Sequence, residues 1–129
     1  MSYVEYTVKV FSDKAIEWSL NGQRHREDGP ALITCDGTKI WYQNGKIHRD
    51  AGPAIEYTNG DAYWYQYGDL HREDGPAMDF KKLKRWYLND VLHTEDLFKY
   101  KMATKTHRES CAGKIIEFEG KKYSLVEVK

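Results

Sequence analysis

Four short clusters in this chain bring together an imidazole, a guanidinium and carboxylates. They are His25-Arg26-Glu27-Asp28, His48-Arg49-Asp50, His71-Arg72-Glu73-Asp74 and a reduced copy, His93-Thr94-Glu95-Asp96. The residue two after His is acidic in every copy. Arg follows His in three copies, and the third position is Asp except at Ala51. The first carboxylate is therefore the stricter requirement. Each of three chemistries uses these residue types. A His beside a Glu can serve as a general base with its orienter. An Arg can hold a phosphate. A His with acids can ligate a metal.

Spacing weakens the metal and the catalyst. Equivalent His residues in a repeated two-strand unit would sit roughly 10 Å apart, because strands lie about 4.8 Å from each other. Ligands of one zinc ion must each lie about 2.0–2.1 Å from it. An enzyme needs one differentiated site, and the asymmetries here are few: Ala51, Tyr67 and the degraded fourth copy. Cys35 falls in an expected strand with no base beside it, so it reads as a half-buried structural thiol. Cys111, in His107-Arg108-Glu109-Ser110-Cys111, has neighbours that could lower its pKa, but an ordinary loop thiol is favoured. There is no phosphate loop, Gly-x-Ser-x-Gly or Cys-x-x-Cys. No metal, cofactor or catalytic residue is assigned. The leading reading is structural: Arg pairs with acids, carboxylates take backbone N–H groups, and His covers Trp or caps a carbonyl. A residue repeated in a repeat protein is usually one that its unit needs to fold.

The elements that position these clusters are themselves periodic. Trp18, Trp41, Trp64 and Trp86 are 23, 23 and 22 residues apart, and each is followed seven residues later by the His of a cluster. Between Trp and His lie Asn21-Gly22, Asn44-Gly45, Tyr67-Gly68 and Asn89-Asp90. After three of the His residues come Gly29-Pro30-Ala31, Gly52-Pro53-Ala54 and Gly75-Pro76-Ala77. Markers in constant phase define a repeat array over residues 18–96. The unit reads as β. Asn-Gly and Asp-Gly pairs, including Asp36-Gly37 and Asn59-Gly60, are two-residue hairpin signals. They bound the expected strands Ala31–Cys35, Thr38–Gln43, Ala54–Thr58 and Asp61–Gln66. Gly-Pro breaks the pairing once per repeat. The 22-residue interval removes a residue within Asp79–Arg85, which predicts an altered turn.

Residues 1–17 read as N-terminal capping strands, with Tyr3–Phe11 turning through Ser12-Asp13-Lys14 into Ala15–Leu20. In residues 97–129, a short helix over Leu97–Lys105 follows the N-cap Thr94, Thr106–Gly113 is a loop, and Lys114–Phe118 with Lys121–Val128 forms a capping hairpin. The expected fold is one all-β domain, a four-repeat hairpin sheet with capping hairpins and one short helix.

Composition agrees. The chain has 129 residues, one domain's length. Its 18 aromatic residues nearly equal its 21 Ile, Leu and Val. Twenty basic and twenty acidic residues cancel to zero net charge, which argues against a general nucleic-acid binder. The block Lys81-Lys82-Leu83-Lys84-Arg85 therefore reads as a solvated turn rather than a phosphate contact. No apolar run is long enough to span a bilayer and no signal peptide opens the chain, so a cytoplasmic location is expected, without membrane association.

The text Trp41-Tyr42-Gln43-Asn44-Gly45-Lys46-Ile47-His48, followed by Gly52-Pro53-Ala54-Ile55-Glu56-Tyr57-Thr58-Asn59-Gly60, resembles the MORN repeat. It is closer to the MORN-variant repeats of YwqK-type antitoxin-like proteins. The His-Arg-acid-x-Gly-Pro-Ala segment looks like a variant found in bacteriophage proteins. The resemblance spans about 80 residues and is specific for architecture. It implies a non-enzymatic binding protein, such as a phage inhibitor of a host defence protein, acting in the host cytoplasm.

Candidate binding residues are His25, Arg26, His48, Arg49, His71, Arg72, Glu73, Tyr42, Trp64, Tyr65 and Trp86. Exposed Tyr, Trp and Arg make interface hot spots. The same set could hold a nucleotide, so a sponge for a nucleotide signal is the alternative. A phosphodiester hydrolase using His and Glu, and a plain scaffold, are further alternatives. Open sheet edges make a homodimer an additional expectation.

Overall fold

The computed structural model describes residues 4–105 and the strands at 115–118 and 121–124. The chain divides into two compact units, residues 1–92 and 93–129. The first begins with β1 (Thr7–Val10), β2 (Ile16–Leu20) and β3 (Gln23–Arg24). Then come β4 (Leu32–Ile33), β5 (Lys39–Ile40), β6 (Tyr42–Gln43) and β7 (Lys46–Ile47). The next repeat supplies β8 (Ile55–Glu56), β9 (Ala62–Tyr63), β10 (Tyr65–Gln66) and β11 (Asp69–Leu70). The series ends with β12 (Met78–Asp79), β13 (Lys84–Leu88) and β14 (Val91–His93). One sheet runs β1-β2-β4-β5-β8-β9-β12-β13-β14, with β3 beside β2. The pairs β6–β7 and β10–β11 are separate two-stranded hairpins.

The hairpin-repeat architecture is thus present, but its strands are shorter than expected. Thr38–Gln43 and Asp61–Gln66 each break at the Trp. The break has a hydrogen-bonding cause. Trp41 N–H donates to Ala54 C=O at 2.8 Å, while Trp41 C=O accepts from His48 N–H at 3.0 Å. Trp64 does the same with Ala77 and His71, and Trp18 with Ala31 and His25. Before each Trp the chain pairs within the main sheet. After it the chain folds back on its own turn. Trp is the corner at which the partner changes.

Two turn types alternate. Asn21-Gly22, Asn44-Gly45, Tyr67-Gly68 and Asn89-Asp90 all have positive φ at both positions, the type I′ geometry that matches strand twist. The Asp-Gly and Asn-Gly pairs at 36–37 and 59–60 behave differently from the two-residue expectation. Thr34 N–H donates to Thr38 C=O and Gly37 N–H to Thr34 C=O, so the loop is the three-residue Cys35-Asp36-Gly37. Gly37 has positive φ and Asp36 does not. Tyr57 and Asp61 close the second such loop in the same way. In the third repeat Phe80 and Leu83 bond each other across only Lys81-Lys82. The missing residue of the 22-residue interval is therefore one loop residue, and the register of the sheet is kept.

The interior is small. Ala31, Ala54 and Ala77 are fully buried, and Ile55, Thr38, His25 and His48 are nearly so. Among the described residues, no large side chain is completely shielded from solvent. Trp18, Trp41, Trp64 and Trp86 are half-buried.

In the second unit, α1 spans Glu95–Lys105, starting two residues before the expected helix. Thr94 caps it: its Oγ1 accepts from Leu97 N–H at 3.2 Å, and its C=O from Phe98 N–H at 2.9 Å. Glu95 and Asp96 face the positive end of the helix dipole. β15 (Ile115–Phe118) and β16 (Lys121–Ser124) pair as an antiparallel hairpin. The expected loop 106–113, with Cys111, lies outside the described residues. Among the described residues, no helix is long and apolar enough to cross a membrane.

The turn geometry has a measurable consequence. Gly45 has φ +81° with room for a Cβ, whose nearest neighbour would be 3.6 Å away. Gly45→Ala is expected to lose about 1–2 kcal/mol in urea unfolding from left-handed backbone strain alone. Gly45→Asp, which copies Asp90, is expected to lose less. Equal losses would contradict the turn assignment.

Candidate functional site

Each of the first three repeats builds one staple from its His and a second from its Arg. The His is held at the end of its hairpin by the N–H bond to its own Trp carbonyl. Its Nδ1 then reaches the following repeat. His25 Nδ1 accepts from Asn44 N–H at 2.9 Å, His48 Nδ1 from Tyr67 N–H at 3.0 Å, and His71 Nδ1 from Asn89 N–H at 3.0 Å. The donor is each time the first residue of the next type I′ turn. The second turn residue bonds the same earlier repeat. Gly45 N–H donates to Arg24 C=O, Gly68 N–H to Ile47 C=O, and Asp90 N–H to Leu70 C=O.

An Nδ1 that accepts a backbone N–H places the ring proton on Nε2. On that side stands the acid two residues on. His48 Nε2 lies 2.9 Å from Asp50, His25 Nε2 3.5 Å from Glu27, and His71 Nε2 3.4 Å from Glu73. This accounts for the acid in the first three copies, where it orients the ring that ties one repeat to the next. In the fourth, His93 Nε2 lies 2.9 Å from Lys101 Nζ, and Glu95, in the first turn of α1, pairs with Lys99.

Arg makes the other staple. The guanidinium carbons of Arg26, Arg49 and Arg72 lie 4.0, 3.9 and 3.8 Å from the ring centroids of Trp18, Trp41 and Trp64. Each Arg also donates through Nη1 to the carbonyl of its own Pro, at 3.1–3.2 Å. Arg26 and Arg72 bond Asp28 and Asp74 through Nε. Where Ala51 replaces that Asp, Arg49 turns to Glu56 on β8 at 3.0 Å. The Gly of Gly-Pro-Ala has a steric role here. A Cβ on Gly29, Gly52 or Gly75 would come within 3.0, 3.3 or 2.9 Å of the Arg guanidinium.

The remaining expected site residues occupy neighbouring positions. Tyr42 and Tyr65 are half-buried, and their carbonyls accept from Arg26 and Arg49 N–H. Burial pushes the Tyr65 phenol pKa up. Trp86 sits half-buried in β13. Neither aromatic row is an open face. Arg49, Trp64, His71, Arg72 and Glu73 do come together, along one groove of about 680 Å³ between the second and third repeats. A related groove joins Arg26, Trp41, His48 and Arg49 between the first and second. Among the described residues, no group of three His, Cys, Asp or Glu converges as a metal would require.

Four contributors carried weaker sequence signals. Arg24 bonds Glu17 at 2.8 Å and reaches the Tyr42 hydroxyl, and that hydrogen bond to Glu17 raises its pKa. Gln43 and Gln66 lean on the carbonyls of Arg26 and Arg49, a role marked only by the Trp-Tyr-Gln shared by two repeats. Tyr67, at φ 49°, stacks on His48 with centroids 4.2 Å apart.

No protein-family model, curated protein or solved structure matches the chain.

Three substitutions test the staples. His48→Ala removes the acceptor of Tyr67 N–H, and is expected to cost about 1–3 kcal/mol in chemical denaturation. Gly75→Ala should force Arg72 off Trp64 and cost about 1 kcal/mol. Gly52→Ala, with its longer approach, should cost less. A His48→Ala protein as stable as the parent would contradict the inter-repeat bond.

Proposed function

We propose that the chain is a non-enzymatic binding protein whose MORN-type repeat array presents the grooves between repeats to a protein partner. One observation carries this reading. The groups able to do chemistry are committed in the same way in three successive repeats. Each His has backbone on Nδ1 and a carboxylate at Nε2, and each Arg has Trp, a Pro carbonyl and an acid. Such uniform engagement supports a scaffold over a differentiated catalytic centre.

What the array offers to solvent is different in kind. The side chains of Asp28, Asp50 and Asp74 are 85–86% exposed, whereas those of Arg26, Arg49 and Arg72 are 21–28% exposed. Groove rims are therefore carboxylate, while each groove wall holds one Trp covered by a paired Arg. A nucleotide phosphate would meet anionic rims and already paired Arg residues, whereas a basic protein surface would meet complementary charge. An inhibitor of a host protein is the form of this activity that fits the phage-type repeat text.

Two arms test the reading. A thermal-shift panel of nucleotides is expected to leave the melting point unchanged. A ligand at about 100 times its Kd would add about 2.7 kcal/mol, so a saturable rise lost in Arg49→Ala and Arg72→Ala would move the function to nucleotide binding. A pull-down from the host is expected to recover one partner with the parent chain. The Asp28→Lys, Asp50→Lys, Asp74→Lys triple variant, which also loses the Arg26, His48 and Arg72 contacts, should release it while keeping a cooperative melting transition. Equal capture by both proteins would contradict the groove reading.

A further inference from the structure

Among the described residues, the first strand of the sheet has one unpaired edge, with an unusual sequence. β1 pairs with β2 in the register Thr7↔Ser19, Val8↔Trp18, Lys9↔Glu17, Val10↔Ile16. Trp18 sends its N–H to Ala31 and receives His25 on its C=O. Val8, opposite Trp18, thus receives no ladder bond from it. Phe11 N–H, by contrast, donates to Ala15 C=O, which places the odd residues of β1 in the bonded pairs with β2. By alternation the even residues, Val8 and Val10, direct their N–H and C=O groups outward. Residues 4–6 precede β1; a strand extended back through them in the same alternation would keep Val4 and Tyr6 on the parity of Val8 and Val10.

The same edge is apolar. Val4, Val8 and Val10 are 64%, 50% and 71% exposed. Charge sits on the alternate positions, Glu5 and Lys9. Glu17, across from Lys9 on β2, is already held by Arg24 at 2.8 Å.

We propose that β1 is a self-complementary dimer edge, and that its occupant is the β1 edge of a second copy of this chain. Antiparallel pairing about a two-fold axis at Thr7 puts Tyr6 opposite Val8 and Val4 opposite Val10, all through outward-pointing backbone groups. On the other face it puts Glu5 opposite Lys9, twice by symmetry. Centring one residue earlier or later breaks that match. An axis at Tyr6 sets Glu5 against Thr7, and an axis at Val8 sets Glu5 against Phe11. Register is selected by the one pair of opposite charges in Val4–Val10. Such an interface is isologous and closes at two copies, and it covers an exposed apolar edge of the kind that invites uncontrolled pairing.

The test is sedimentation of the full chain over a concentration series, with reversal of each charge. The parent is expected to dimerise. Lys9→Glu or Glu5→Lys alone should weaken the dimer by about tenfold, since two symmetry-related pairs become repulsive. The Glu5→Lys, Lys9→Glu double exchange should restore it. Both positions are exposed, and a cooperative melting transition that matches the parent's at concentrations where both are monomeric shows that each variant still folds. The register has its own readout. In a Cys35→Ser, Cys111→Ser background, Thr7→Cys should oxidise to a covalent dimer, because facing residues in a non-bonded pair have Cα atoms about 4.5 Å apart. Val8→Cys should oxidise far more slowly. A monomer at every concentration, a dimer indifferent to the charge reversals, or faster cross-linking at Val8 would overturn the proposal. So would capture of a different protein's strand on β1.

Discussion

Strands of two residues cannot hold a sheet by ladder bonds alone, and three fully buried alanines cannot supply a core that does. The constraint on this fold is therefore how one repeat is fastened to the next. The bond from the next turn's N–H to a His Nδ1 meets it. It recurs at 2.9–3.0 Å in all three junctions formed by His25, His48 and His71. Residues at φ near +50° begin those turns, and their N–H groups point back at the earlier repeat. The imidazole there, buried at His25 and His48, satisfies a backbone donor that a short hairpin would otherwise leave unpaired. The carboxylate two residues on, the Trp carbonyl that fixes the His backbone, and the Gly that admits Arg to the Trp face all follow from that arrangement.

The irregular copies show which parts of the unit can be exchanged. Losing Asp at position 51 leaves Arg49 on Trp41, because Glu56 replaces the missing carboxylate. Losing Asn at 67 puts a Tyr in left-handed backbone, and its ring then stacks on the His that caps it. Losing Gly at 90 puts an Asp at φ 66°, whose Oδ1 accepts from Leu70 N–H at 2.6 Å. Each change is met within the same junction. Stability in such an array is a sum of unit and interface terms, so local compensation is enough.

Much of this was legible in the residues. Trp spacing, hairpin pairs and Gly-Pro-Ala marked the unit, and the 22-residue interval located the shortened loop. Thr94 with Glu95 and Asp96 marked the helix start. The strict acid after His pointed to a structural need without saying what it was. The rest depended on information that spacing does not carry. Nothing in Trp41 says that it ends one pairing and starts another, because that follows from bonds to Ala54 and His48 on either side. Asp36-Gly37 and Asn59-Gly60 have the composition of two-residue turns, but Gly alone takes positive φ in each. The reach of His48 to Tyr67, 19 residues on, is tertiary. It also explains why His and Arg, the residues most suggestive of chemistry, are engaged in holding the array.

The central claim is that these imidazoles are acceptors from backbone. Long-range 1H–15N correlation of the His side chains tests it directly. For His25, His48 and His71 the account predicts a proton fixed on Nε2 and an unprotonated Nδ1, with a coupling across the hydrogen bond from Asn44, Tyr67 and Asn89 amides. A proton on Nδ1, or averaging between the two tautomers as in a freely solvated ring, would contradict it.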